Sequence, residues 1–232
     1  MITNQEGKTK QMFPTVIYDN FFVNPDKIVE FANNQDYFPT SDGAWPGCRT
    51  EQISVLAPEL YADIGSRINS IFFPTCVDNY AIEMRFQKIS PFHENQYDRK
   101  NRGWIHRDRN VYYGGIIYLN KNPEPNTGTN LYQEKKGYSV ANPHNEMVKR
   151  KLYLNEEINT EEYNNSFDDH FNQYKATVKV ESVYNRLFMF NSKEFHGVET
   201  FGKEQERLTI SFFCHGIFGA TPWGAIVPPF AR

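Results

Sequence analysis

The chain has 232 residues, 39% hydrophobic and 16% aromatic, which is enough for one domain with a sizeable core. Its 25 basic and 28 acidic residues leave a net charge of −3, which excludes a global pull toward nucleic acid or an anionic membrane surface. Cys48, Cys76 and Cys214 are odd in number and far apart, so neither a disulfide framework nor a zinc knuckle is expected.

The opening MITNQEGKTK lacks an apolar leader core, and no apolar run approaches spanning length. The expectation is a cytoplasmic chain without membrane contact. Residues 1–12 read as a loose polar tail, and 13–232 as a single domain. Phe13 to Phe22 has the aromatic and β-branched texture of a strand. Asn24-Pro25-Asp26 then opens a helix: Asn24 as cap, Pro25 in the first turn, Asp26 against the helix dipole. Ile28, Phe31 and Ala32 share one face of it. Residues 39–50 are turn-rich, and Trp45 and Arg49 within them suit either the lining of a substrate cleft or, as the simpler reading, a packed loop. A second helix is predicted over 57–72, where Leu60, Ile64, Ile68 and Ile71 recur at helical spacing.

Beyond Pro74 the texture is that of strands. Tyr80, Ile82, Met84 and Phe86 alternate with Ala81, Glu83, Arg85 and Gln87, which predicts a strand with one buried face. Residues 90–103 form a polar loop, 104–120 one or two strands, and 121–133 a turn followed by a short strand. Residues 134–175 break the rhythm and read as a partly helical insertion. Strand texture returns at 176–183, 186–191 and 207–216. Short strands with long connections predict a mainly β, jelly-roll-like core over 76–220, with helices in 13–75 flanking it.

The chemistry-bearing residues begin at WIHRDRN. On a strand, His106 and Asp108 would point the same way, and a third ligand is available at His196 in FNSKEFHGVETFG. Two histidines and one carboxylate form a facial set that holds iron(II) with open coordination positions. With six histidines in the chain, a chance HxD is expected about a third of the time, so the pair alone is weak. Arg207, eleven residues beyond His196, heads RLTISFF and would share a strand face with Thr209 and Ser211, a combination suited to a carboxylate.

The order of HRD at 106–108, IIYLN at 116–120, TGTNLY at 127–132, His196 and Arg207 resembles the iron(II)/2-oxoglutarate-dependent oxygenases, most closely their prolyl-hydroxylase-like branch. The resemblance spans about 78–216, broken by the insertion. It implies a double-stranded β-helix, and iron(II), 2-oxoglutarate and dioxygen as cofactor and cosubstrates. His106, Asp108 and His196 match the iron ligands, and Arg207 matches the partner of the distal 2-oxoglutarate carboxylate. Tyr118 matches a tyrosine near the same carboxylate, and Thr209 a supporting hydroxyl. A carboxylate at Asp108 disfavours the halogenase variant of the chemistry. Two departures stand out: Phe86 and Gln87 occupy the strand where the family often has a cosubstrate-binding tyrosine, and Gly128-Thr129 replaces a glycine pair.

The implied activity is hydroxylation of a small-molecule or peptide substrate, a free or peptidyl amino acid, with proline first. Three other readings stay open: oxidation of a nucleic-acid base, motivated by the basic stretch from Arg99 to Arg109; a metalloenzyme of the same barrel without 2-oxoglutarate; and a catalytically silent metal-binding or interaction domain. The basic stretch reads more simply as a solvated loop, so nucleic acid is not the expected partner. Trp104 and Tyr113 are expected to wall the site. His93, His144, His170 and His215 have no partner at ligand spacing and read as structural. No HExxH, P-loop or GxSxG sequence competes with the assignment.

Overall fold

The computed structural model describes residues 13–73, 77, 79–135 and 142–218. The tail predicted at 1–12, Cys76, residues 136–141 of the insertion and residues 219–232 lie outside the described residues.

Two antiparallel sheets form the framework. Helix α1 (Pro25–Asn33) starts as read, with Pro25 in its first turn, although the Asn24 side chain makes no capping hydrogen bond. Strand β1 (Val16–Tyr18) precedes it, and the short pair β2 (Phe38–Pro39) and β3 (Cys48–Arg49) follows. A four-residue helix, α2 (Ile53–Leu56), leads into α3 (Pro58–Phe72), whose Ile64 and Ile68 are fully buried. Burying each such side chain contributes about 1.5–3 kcal/mol. Strands β4 (Tyr80–Ile89), β5 (Tyr113–Tyr118), β8 (Leu187–Asn191) and β10 (Arg207–Ile217) complete a seven-stranded sheet ordered β1-β8-β5-β10-β4-β3-β2. Strands β6 (Thr129–Glu134), β7 (Tyr174–Val178) and β9 (Phe195–Val198) form the smaller sheet, ordered β7-β6-β9. The strand texture at 176–183 yields regular structure only as far as Val178.

The strand periodicity places residues on two sides of the large sheet. Ile82, Met84 and Phe86 of β4, Leu187 and Met189 of β8, and Leu208, Ile210 and Phe212 of β10 join Ala32, Ile64 and Ile68 in the main core. Between the sheets lies a smaller apolar cluster of Tyr118, Leu131, Val180, Phe188 and Phe190. Strand β8 is therefore apolar at successive positions, because both of its faces are covered.

The insertion folds as two helices. Asn142 caps α4 (Pro143–Tyr153) by accepting from the His144 amide, and Asn159 caps α5 (Thr160–Phe171) by accepting from the Glu161 and Glu162 amides. Both pack with Trp104 and Ile105 in a third apolar cluster. The first part of the basic stretch serves this packing: Arg99, Lys100 and Arg102 lie over the rings of Phe167, Tyr163 and Phe171, and Arg99 pairs with Asp168 at 2.8 Å. Among the described residues, no helix is long and apolar enough to cross a membrane.

Candidate metal centre

His106 sits outside the regular strands, in a single bridge rather than the strand that its sequence suggested. Its amide donates to the His196 carbonyl at 3.0 Å, and the His196 amide donates back at 2.9 Å. This reciprocal pair sets the two imidazoles side by side, ring centroids 4.4 Å apart. The segment approaches β9 closely enough that a Cβ on Gly103 would lie 2.7 Å from the Val198 nitrogen, so this crossing requires glycine. From the other side, the Trp104 amide donates to the Tyr153 hydroxyl of α4 at 3.1 Å, and His170 of α5 stacks on the Trp104 ring at 4.6 Å. The insertion therefore braces the segment that bears the first two candidate ligands.

Ligand-capable atoms of His106, Asp108 and His196 all lie within 4.8 Å of one another. His106 Nε2 is 3.7 Å from Asp108 Oδ1, and His196 Nε2 is 3.6 Å from Asp108 Oδ2. Both imidazoles have a fixed tautomer. Nδ1 of His106 lies 2.8 Å from the Trp104 carbonyl, and Nδ1 of His196 lies 3.1 Å from the Glu194 carbonyl. A carbonyl only accepts, so each Nδ1 carries a proton and each Nε2 is the nitrogen that faces Asp108. Asp108 Oδ2 is buried without a hydrogen-bond partner.

The His106 ring is 46% accessible because it faces a half-open cavity whose walls surround it on several sides. The surrounding protein, reinforced by His196 and Lys149, holds its pKa well below the ordinary value against the opposing hydrogen bond to Trp104. The imidazole is neutral near pH 7, as a metal ligand must be.

The cavity has a volume of about 100 Å³ and is lined by His106, His196, Arg207, Ser211, Arg49 and Lys149, among others. Arg207 is almost fully buried. Its Nε donates to the Thr127 carbonyl at 3.0 Å and its Nη2 to Thr129 Oγ1 at 3.4 Å, and no carboxylate lies in ion-pair range among the described residues. Burial lowers its pKa, with Tyr118 opposing. Tyr118 lies beneath the guanidinium, 5.4 Å from ring centroid to Cζ, and its hydroxyl accepts from the Thr129 amide at 3.0 Å. It props Arg207 rather than lining the cavity. Thr209 and Ser211 alternate with the core residues of β10, and both hydroxyls are buried without a partner.

Trp104 lines the cavity, whereas Tyr113 lies in the main core, its hydroxyl donating to Asn69 at 2.9 Å. Gln87 lines the cavity and Phe86 faces away from it, so the amide holds the wall position. Trp45 and Arg49 line the cavity too, instead of serving only as loop packing. Two contributors had no motif. Lys149 comes from within the insertion, and Gly114 leaves Asp108 its room: a Cβ there would meet Asp108 Oδ2 at 3.0 Å. The GlyGly of GGIIYLN was the available signal for the second. The other histidines stay away from the centre: His93, His144 and His215 lie 3.7, 3.8 and 3.7 Å from Asp98, Glu162 and Glu83.

No curated protein matches the sequence. Among solved structures, the chain is similar to HygX from Streptomyces hygroscopicus with nickel and 2-oxoglutarate bound, at 13% identity and a TM-score of 0.53, covering 86% of this chain and 82% of that one. That likeness shows the fold, a double-stranded β-helix. A prolyl hydroxylase from Trichoplax adhaerens, in complex with a hypoxia inducible factor peptide fragment, also matches at 13% identity and a TM-score of 0.49, covering 86% of this chain and 82% of that one. The family model DUF6445, described as a family of unknown function, matches residues 3–213, and the chain belongs to that family.

Proposed function

We propose that this chain is a single-domain iron(II)- and 2-oxoglutarate-dependent oxygenase that hydroxylates an amino-acid-type substrate, with proline the first to try. One observation carries the reading. Two imidazoles line the same cavity as a buried arginine without a counter-charge among the described residues, and an unpartnered buried carboxylate oxygen of Asp108 lies against both imidazoles. The orphaned oxygen and the unpaired arginine are each costly for the protein alone. A divalent cation at the first three groups and a dicarboxylate reaching Arg207 satisfy them together.

The donor set fits iron(II): two nitrogens and one oxygen on one side, with the rest of the cavity free. His106 and His196 would ligate through Nε2, held in place by the Trp104 and Glu194 carbonyls. Asp108 would ligate through its carboxylate, which abuts Gly114. Arg207 would pair with the distal carboxylate of 2-oxoglutarate, with Tyr118 behind the guanidinium and the Thr209 and Ser211 hydroxyls as donors beside it. When bound, iron(II) and 2-oxoglutarate supply the oxidation: dioxygen is split between succinate and a hydroxyl placed on a substrate carbon, with release of carbon dioxide. The apolar walls, Trp104, Ile116, Phe190 and Val198, keep water from that chemistry.

Adding iron(II) and then 2-oxoglutarate without oxygen is expected to produce a metal-to-ligand charge-transfer absorption band. The band should be absent in His106→Ala. A wild-type protein that gives no band would overturn the assignment. Arg207→Ala separates this reading from that of a barrel metalloenzyme without 2-oxoglutarate, because only here does it abolish cosubstrate binding while sparing the metal.

A further inference from the structure

The cavity holds a second arginine that the proposed chemistry does not use. Arg49 sits on β3, at the end of the turn-rich loop, and its guanidinium carbon lies 4.4 Å from the Trp45 ring centroid and 5.7 Å from that of Phe213. Among the described residues its guanidinium makes one hydrogen bond, a long one from Nη2 to Gln87 Oε1 at 3.5 Å. Its Nε is buried without a partner, and no carboxylate lies in ion-pair range among the described residues. Burial, with Arg85 adding to it, lowers its pKa to about 10 against the opposing charges of Glu83 and Asp108, so it remains a cation at neutral pH. Contact with two aromatic rings restricts the guanidinium but leaves its in-plane donors open. Lys149, only 7% exposed, lines the same cavity, but it is already paired with Glu146 at 3.1 Å.

Resting on the oxygenase reading, we infer that Arg49 binds the carboxylate of a small free acid, so that the substrate is a free amino acid and not a residue inside a peptide. The cavity has two arginines without counter-charges, Arg207 and Arg49, on different strands of one sheet. The 2-oxoglutarate reading satisfies Arg207 and leaves Arg49 alone. A partly buried cation with an orphaned Nε, facing Glu83 and Asp108 only beyond ion-pair range, asks for a closer anion, and a planar fork packed on aromatic rings suits a carboxylate accepting two hydrogen bonds. A residue within a peptide has no free α-carboxylate to offer. The cavity volume of about 100 Å³ is well below the roughly 300–1,000 Å³ of drug-sized sites, and this also favours a compact ligand.

The test uses the full chain loaded with iron(II) and 2-oxoglutarate under anaerobic conditions. L-proline and the other proteinogenic amino acids are each titrated by calorimetry against their α-carboxamides. At least one acid is expected to bind, and to bind better than its amide. Arg49→Gln should reduce that preference by about 10–100-fold, the range for losing a charge-assisted pair. Arg49→Lys should restore part of it, and 2-oxoglutarate affinity should stay within about twofold of wild type in both variants. If every acid binds no better than its amide, or if Arg49→Gln keeps the preference, the inference is wrong. A tenfold loss of 2-oxoglutarate affinity in Arg49→Gln would also overturn it, by assigning this arginine to the cosubstrate. The charge-transfer band keeps the two proposals apart: its absence in wild type removes the oxygenase reading, whereas its presence without carboxylate preference removes only this inference.

Discussion

The two faces of strand β10 are built from the same eleven residues, yet they obey opposite rules. One face carries Leu208, Ile210, Phe212 and Cys214, all buried in the main core. The other carries Arg207, Thr209, Ser211 and Phe213 toward the space between the sheets. On the core face every group is apolar or satisfied: even the Cys214 thiol donates to the Gly216 carbonyl at 3.6 Å, and burial pushes its pKa up to about 11. On the cavity face a cation lacks a counter-charge and two hydroxyls lack partners. Stability alone would remove such groups, because an unsatisfied buried polar atom costs about 1–3 kcal/mol. The proposed ligands would account for their presence on this face.

The largest effect should come from the core face. Phe212 is fully buried, and Phe212→Ala is expected to lower stability by about 3–5 kcal/mol. Urea unfolding measures that loss. In conditions where the variant stays folded, its metal affinity should be close to wild type. A parallel fall in metal affinity would mean that the two faces are coupled and that the division drawn along β10 is wrong.

His170 sharpens the comparison from outside the cavity. Its Nε2 is also buried and unpartnered, but it lies in the insertion cluster against Trp104 and does not line the cavity. There the consequence is titration. Burial, with Lys149 and Arg102 adding to it, lowers its pKa to about 4, against the opposing hydrogen bond to Ile105. The folded value lies below the unfolded one of about 6.5, so the unfolded chain binds more protons between these limits. The stabilisation is complete above about pH 6.5 and is lost as the pH falls toward 4, by about 3 kcal/mol in all. Urea midpoints for wild type and His170→Gln should therefore converge as the pH is lowered through that window. A constant difference between them would refute this account of the residue.

Arg207→Gln addresses the cavity face directly. The variant keeps a hydrogen-bonding end group but loses the charge, and 2-oxoglutarate affinity should fall by about 100-fold. The melting temperature of the ligand-free protein should move far less than in Phe212→Ala, since the guanidinium has no counter-charge to lose. An unchanged 2-oxoglutarate affinity would place the distal carboxylate elsewhere.

Much of this division could be read from the sequence, because it rests on local periodicity. The alternation in β4 and β10 and the helical spacing of Ile64 and Ile68 give each side chain its direction before any tertiary contact forms. His106, Asp108, His196 and Arg207 were legible through their order along the chain. What was not legible depends on packing between distant segments. Arg49 reaches the cavity because β3 pairs with β4, and Lys149 because α4 folds back over the Trp104 segment. Neither belongs to a periodic pattern that could announce its partner. His106 also sits in a bridge fixed by His196, ninety residues later, so the two-residue spacing predicted its company better than its secondary structure.

The smallest expected effect is the most discriminating, because its sign differs between the two faces. Ser211→Ala and Thr209→Val each remove a buried hydroxyl that has no partner in the protein. On the core face any truncation destabilises. Here, each change should leave the ligand-free protein as stable as before or more stable by about 1 kcal/mol, because an unsatisfied group is replaced by an apolar one of similar shape. The same changes should weaken 2-oxoglutarate binding by about threefold to tenfold, the worth of one ordinary hydrogen bond. Thermal melts with and without cosubstrate separate the two effects: the ligand-free melting point holds or rises while the ligand-induced shift shrinks. If both fall together, the hydroxyls are satisfied within the protein and the cavity face is only a poorly packed core. If the ligand-free protein gains stability with no loss of binding, the hydroxyls do not serve the cosubstrate, and the substrate on the Arg49 side becomes the partner to test.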